Sequence, residues 1–184
     1  VSVFDGITFN NIDQTDGLIT NNVNDVCEDA DGNMWFAPAY FGVTKFDGNS
    51  WINYNQANSG ISNNNIYCIT RDHNGNLWFG GYAEAVKFDG TNWTVYNSSY
   101  GFSGSVRCIF EDSQNNLWFG TDFGVVRFDG SVFTKYTTAN GLADNLCNSI
   151  TEDAIGNIWC LNFHAISIFN GSNWTINYPL VNGE

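Results

Sequence analysis

The block Gly75-Asn76-Leu77-Trp78-Phe79-Gly80 recurs along the chain, and that recurrence limits the available folds more than any other feature. It returns as GNMWFA at 32–37, NNLWFG at 115–120 and GNIWCL at 156–161. The tryptophans fall at 35, 78, 118 and 159, in steps of 43, 40 and 41. Ten or eleven residues after each comes a second marker, FDG at 46–48, 88–90 and 128–130 and FNG at 169–171. A fifth FDG stands at 4–6 with no tryptophan block before it. A period of about 40 residues, rich in Trp, Phe, Gly and Asp, marks a radial β-repeat.

Within the second repeat, residues 65–72 read as a first strand, 73–75 as its turn and 76–80 as a second strand. A connection over 81–84 leads to a third strand at 85–88, and Asp89-Gly90 opens a hairpin turn into a fourth at 93–96. Four antiparallel strands in one period form a propeller blade. The expectation is an all-β β-propeller with complete blades at 23–54, 66–97, 106–137 and 146–178 and a half blade at 1–13. Second strands such as Leu77-Trp78-Phe79 are apolar on both faces, as in a sheet covered on each side. Fourth strands repeat an aromatic pair: Trp51 with Tyr54, Trp93 with Tyr96, Phe133 with Tyr136 and Trp174 with Tyr178. Helical spacing of apolar residues is poor throughout.

The chain opens in mid-motif at Val1, which reads as a mature or excised piece. The half blade supplies third and fourth strands, and the six residues after Tyr178 are too few for two inner ones at about 3.3 Å per residue. The blade would then be completed by a longer chain or another molecule, or a five-position ring would close over it.

Charge excludes some partners. Six Lys or Arg stand against 19 Asp or Glu, a formal −13. Six scattered cations cannot build the basic face that displaces nucleic-acid counterions, and an anionic membrane surface is disfavoured equally. No apolar run approaches the length of a membrane span. Cys27, Cys68, Cys108 and Cys147 lie 2, 4, 4 and 6 residues before the Asp that ends each first strand, on one strand face. Without a CxxC pair they read, with Cys160, as small free hydrophobes, not as metal ligands or disulfides.

Residues 109–130, IFEDSQNNLWFGTDFGVVRFDG, resemble the two-component regulator propeller repeat, with Asn115 in place of a glycine. Ala37-Pro38 in blade one and Cys160-Leu161 in blade four depart from the Phe-Gly of that pattern. The resemblance implies an extracytoplasmic (extracellular or periplasmic) bacterial sensor domain, often for oligosaccharides.

The turns after the first strands carry Asp and Asn but lack the Gly and Glu spacing of a calcium loop, so their side chains are expected to bond their own backbone. No nucleophile elbow is present, and a Glu84–Asp122 carboxylate pair is the strongest hydrolytic arrangement on offer. Binding is better supported. The loops between second and third strands carry Tyr40 and Phe41, Tyr82 and Glu84, Asp122 and Phe123, and Phe163 and His164. The connections between blades bring Asn63, Asn64, Asn65, Arg107, Asp144 and Asn145 to the same face. A structural repeat needs sameness, so variation confined to one face points to recognition. Aromatic platforms with amides and carboxylates suit a sugar. The reading is a non-catalytic binding module, without metal or cofactor, that takes an oligosaccharide. The alternative is a protein that self-associates into oligomers or filaments through its incomplete blade, or pairs with blades of a parent chain.

Overall fold

A computed structural model describes residues 1–177; Tyr178 and the tail beyond it lie outside. Four antiparallel four-stranded sheets follow in sequence, each paired in chain order. Blade one comprises β3 (Val23–Glu28), β4 (Met34–Pro38), β5 (Val43–Phe46) and β6 (Trp51–Tyr54). Blade two comprises β7 (Ile66–Arg71), β8 (Leu77–Gly81), β9 (Ala85–Phe88) and β10 (Trp93–Tyr96). Blade three holds β11 (Val106–Glu111), β12 (Leu117–Thr121), β13 (Gly124–Phe128) and β14 (Phe133–Tyr136). Blade four holds β15 (Cys147–Glu152), β16 (Ile158–Asn162), β17 (Ile166–Phe169) and β18 (Trp174–Asn177). A separate hairpin pairs β1 (Ser2–Phe4) with β2 (Phe9–Asn11), shorter than the half blade read from sequence and exposed at every strand residue.

The repeat block folds as it does because its aspartate organises the turn. Asp72 Oδ1 accepts the backbone N–H groups of Asn74 and Asn76, and the Asn76 amide reaches both carboxylate oxygens. Trp78 Nε1 then donates to Asp72 Oδ2 at 2.9 Å, tying the indole of the second strand to the end of the first. The same bond joins Trp35 to Asp29, Trp118 to Asp112 and Trp159 to Asp153 at 2.8, 2.8 and 2.9 Å. The aspartates thus bond their own turns, and they also hold the tryptophans, which the sequence reading did not foresee. Gly32, Gly75 and Gly156 take φ of 84°, 83° and 87° in these turns, and Asn115 adopts φ 64° in their place. Asn tolerates that left-handed conformation, which accounts for the departure at 115.

The described chain divides into two compact units, Val1–Gly81 with Val86–Val95, and Tyr82–Ala85 with the residues from Tyr96 onward. In the first, Trp35, Ile66, Leu77, Phe79 and Val86 form the core, and Trp93 stacks on Phe88 at 4.4 Å. In the second, Trp118, Val125, Cys147, Ile150, Cys160 and Phe169 do so, with Trp174 beside them. All five residues of β8 and of β12 are buried, as expected of sheets covered on both faces. The five cysteines form no disulfides. Room for two of them comes from Gly120, where a Cβ would lie 2.6 Å from Cys108 Sγ and 3.1 Å from Cys147 Sγ.

Candidate loop-end recognition site

Each innermost strand breaks register near its start. The irregularities fall between Val23 and Val26, Ile66 and Cys68, Val106 and Cys108, and Cys147 and Ser149. A bulge leaves one residue out of the ladder and re-aims its side chain. The residues so displaced include Asn24, Tyr67, Arg107 and Asn148, three different side-chain chemistries at one structural position. The bulge itself was not legible from sequence. Its signal was there, in the unlike residue that recurs five places before each turn aspartate.

Around Arg107 the second unit assembles a built surface. Tyr82 bridges Ser105, and Ala83 N–H donates to the Gly104 carbonyl at 2.6 Å. Asp122 N–H donates to Ser105 O, while Asp122 Oδ2 accepts Ser105 N–H at 2.8 Å and Oδ1 accepts Arg107 Nε at 2.5 Å. Burial alone would raise the Asp122 carboxyl, but the Ser105 amide and the Arg107 guanidinium hold it below the usual carboxylate range. Gly104, at φ 65°, lets this happen, since a Cβ there would strike Asp122 Cβ at 2.6 Å and the Phe123 ring at 2.8 Å. Tyr82 and Phe123 are each 55% exposed beside this locked ion pair. A guanidinium with further N–H donors, near exposed aromatic rings, can bind hydroxyl-rich or planar ligands.

Tyr82, Arg107, Asp122 and Phe123 are therefore gathered as the sequence reading placed them, with Ser105 added. Glu84 is not an exposed ligand group: only 4% of it is accessible. It stands where Gly42, Gly124 and Ala165 stand in the other blades, and at Gly42 and Gly124 a Cβ would lie 2.2 Å from the neighbouring outer-strand carbonyl. A side chain starting there enters the protein, and with Asp122 committed to Arg107 and Ser105 the two carboxylates do not form a free catalytic pair. Phe163 and His164 are exposed and pack edge to face at 4.4 Å.

In the first unit, exposed Tyr40, at φ 68°, borders a cleft of 140 Å³ with Asn22, Asn24, Asn65 and Tyr67. Neighbouring Phe41 is exposed and its carbonyl accepts from Asn53 Nδ2. Most connection amides are scaffold. Asn63 Oδ1 accepts Asn65 N–H, Asn64 Oδ1 accepts Gln56 N–H, Asn145 Oδ1 accepts Thr138 N–H, and Asp144 Oδ1 accepts Leu146 N–H. Asx side chains favour such local bonds over outside partners. No cluster of three or more metal-ligating side chains occurs among the described residues. Among the described residues no helix is long and apolar enough to cross a membrane.

These sheets, each with its aspartate-tied tryptophan, are β-propeller blades. More narrowly, the chain is similar to the family described as "Two component regulator propeller", whose pattern matches residues 17–39, 60–83 and 100–123. The fourth repeat, with Cys160-Leu161 in place of Phe-Gly, lies outside those segments. Among solved structures, the extracellular domain of a hybrid two component system from B. thetaiotaomicron is 22% identical. It superposes with a TM-score of 0.79 over 90% of this chain and 24% of that one. That of a one component system from the same organism is 24% identical, with a TM-score of 0.74 over 86% of this chain and 25% of that one. Virginiamycin B lyase from Staphylococcus aureus, solved in a catalytically inactive form with quinupristin, is 13% identical, with a TM-score of 0.71 over 88% and 57%. The chain thus spans about a quarter of the length of the sensor-system domains it matches. No curated protein matches it in sequence.

Proposed function

We propose that the chain is a non-catalytic, extracytoplasmic binding module whose loop ends recognise a neutral oligosaccharide. The observation that carries this is the Arg107–Asp122 pair, fixed by Ser105 and Gly104 and flanked by the exposed rings of Tyr82 and Phe123. A pyranose lays its apolar face on an aromatic ring, and its hydroxyls accept from a guanidinium and donate to a carboxylate. This arrangement does not favour a general base: Ser105 and Arg107 lower the Asp122 carboxyl and occupy both its oxygens, and His164 packs on Phe163. The repeat family and the extracellular sensor domains of like fold favour the same reading; the lyase of like fold is a more distant match. Titration calorimetry against a panel of neutral oligosaccharides tests it. One class should bind, and Phe123→Ala should weaken it about tenfold, the cost of one well-packed aromatic contact. An unchanged affinity in Phe123→Ala would remove the loop ends from the site.

A second reading rests on the β1–β2 hairpin. Ile7 and Phe9 are 88% and 71% exposed there, and a two-stranded ribbon is marginal alone. Its natural cover is another copy of this chain, giving head-to-tail oligomers. Sedimentation over a concentration series tests it: Phe9→Ser should abolish association, and a monomer at all concentrations would exclude it.

A further inference from the structure

Five of the six basic residues have structural tasks. Lys45, Lys87 and Arg127 lie over the rings of Trp35, Trp78 and Trp118 at 5.7, 5.9 and 5.6 Å. Arg71 Nη1 donates to the Asp29 carbonyl, and Arg107 holds Asp122. Lys135 differs. Its Nζ donates to the neutral hydroxyl of Ser103 at 2.7 Å, and its side chain lines a cavity of 570 Å³ walled by Tyr96, Tyr100, Phe128 and Phe133. Burial lowers its pKa, and desolvation is the whole of that cause.

This cavity exists because the repeat is broken in three places at once. The first residue of the outermost strand is Trp51, Trp93 and Trp174 elsewhere, but Phe133 here. The residue before the glycine of the preceding connection is Asp16, Ser59 and Asn140 elsewhere, but Tyr100 here. Lys135 stands where Asn53, Val95 and Ile176 do. In the other three cases the tryptophan packs on that glycine: a Cβ at Gly17 would meet the Trp51 indole at 2.4 Å, and a Cβ at Gly60 or Gly141 would meet the Cβ of Trp93 or Trp174 at 2.3 or 3.2 Å. At Gly101 the neighbour is Lys135 instead, at 3.3 Å. The smaller Phe133 stacks on Phe128 at 4.3 Å and leaves the space open, while Tyr100 stands edge-on to it at 5.3 Å. The hairpin of residues 130–133 lies at the far end of β13 from the Asp122–Phe123 loop, so this pocket is separate from the loop-end site.

We propose that this pocket is a second binding site, for a carboxylate-bearing sugar such as a uronic acid unit of an acidic glycan. The sugar ring lies against Tyr100 and Phe133, and its carboxylate reaches Lys135 Nζ. The ammonium has given up part of its hydration and bonds a neutral hydroxyl, so an anionic partner gains more there than at a solvated lysine. The chain's −13 charge repels polyanions at long range, which restricts the pocket to a singly charged unit presented at short range.

The test is titration with an aldotriouronic acid, a trisaccharide with a single carboxylate, with a neutral xylose trisaccharide and benzoate as comparison probes, followed by backbone amide NMR. Saturable shifts are expected for the acidic sugar at residues 99–101 and 131–133. Lys135→Met should weaken binding at least tenfold. Phe133→Trp, which restores the indole of the other repeats, should fill the pocket and abolish binding without loss of thermal stability. Equal binding of the neutral trisaccharide, equal binding of benzoate, or shifts at Tyr82 and Asp122 instead would overturn the assignment. So would unchanged affinity in Lys135→Met, which decides the matter even if Phe133→Trp fails to fold.

Discussion

The two ends of the same strands differ in what they repeat. At one end Asp29, Asp72, Asp112 and Asp153 make the same bonds to their turns and the same bond to a tryptophan. At the other end Tyr40, Tyr82, Asp122 and Phe163 occupy comparable loops with unlike roles. Tyr40 borders an amide-lined cleft, Tyr82 bridges a neighbouring connection, Asp122 clamps an arginine, and Phe163 packs on a histidine. Packing energy is concentrated where the repeat is uniform, and freedom to vary lies where the loops need only be positioned. The bulge near the start of each inner strand joins the two regimes, since it keeps the ladder while turning one residue out of it.

The comparison would break if the uniform end proved dispensable. Trp118 is 1% exposed at the centre of its core, so Trp118→Ala should cost about 3–5 kcal/mol in urea unfolding. A loss under about 1 kcal/mol would mean the indole does not anchor the blade. Asp112→Ala should follow at about 3 kcal/mol, because it strands the buried Trp118 Nε1–H and the Asn116 amide. If Asp112→Asn recovers most of that loss, geometry and not charge is what the turn requires.

Acid titration sharpens the same point. The Trp159 indole N–H, ahead of the Asn157 amides, lowers the Asp153 pKa to about 2. A carboxyl depressed in the folded state contributes stability that is complete above its unfolded value near 3.8 and fades as pH falls towards 2. Blade-four unfolding, followed by Trp159 fluorescence, should therefore become easier between pH 4 and pH 2. Asp153→Asn should flatten that dependence; an equally steep profile in the variant would assign it to other carboxylates.

Much of this architecture was legible in the sequence because the repeat reports it four times. The tryptophan spacing pointed to four-stranded antiparallel sheets, and the burial of β8 and β12 followed from runs without alternation. The site was legible only in part. Unlike residues marked Tyr82, Arg107, Asp122 and Phe123, but variation alone does not say which way a side chain points. Glu84 varied and is buried, because it starts from a glycine position against the outer strand. Asn63, Asn64 and Asn145 varied little in type and serve their own backbone. Tyr67 was passed over because a strand of regular pleat would not have displaced it.

The smallest expected effect on stability tests the loop end most directly. Arg107 is 44% exposed in its side chain, and its bond to Asp122 is a surface ion pair. Such pairs contribute roughly 0–1 kcal/mol, since solvent screens them and fixing the side chain costs entropy. Arg107→Ala should therefore barely move the unfolding midpoint. It should still remove the guanidinium from the proposed oligosaccharide site and free Asp122 Oδ1, weakening binding by about tenfold or more. Arg107→Lys should keep the charge but lose the planar fork, and recover only part of the affinity. A variant as destabilised as Trp118→Ala would show that the pair belongs to the scaffold. A variant that is stable and binds normally would show that the loop ends vary because nothing constrains them.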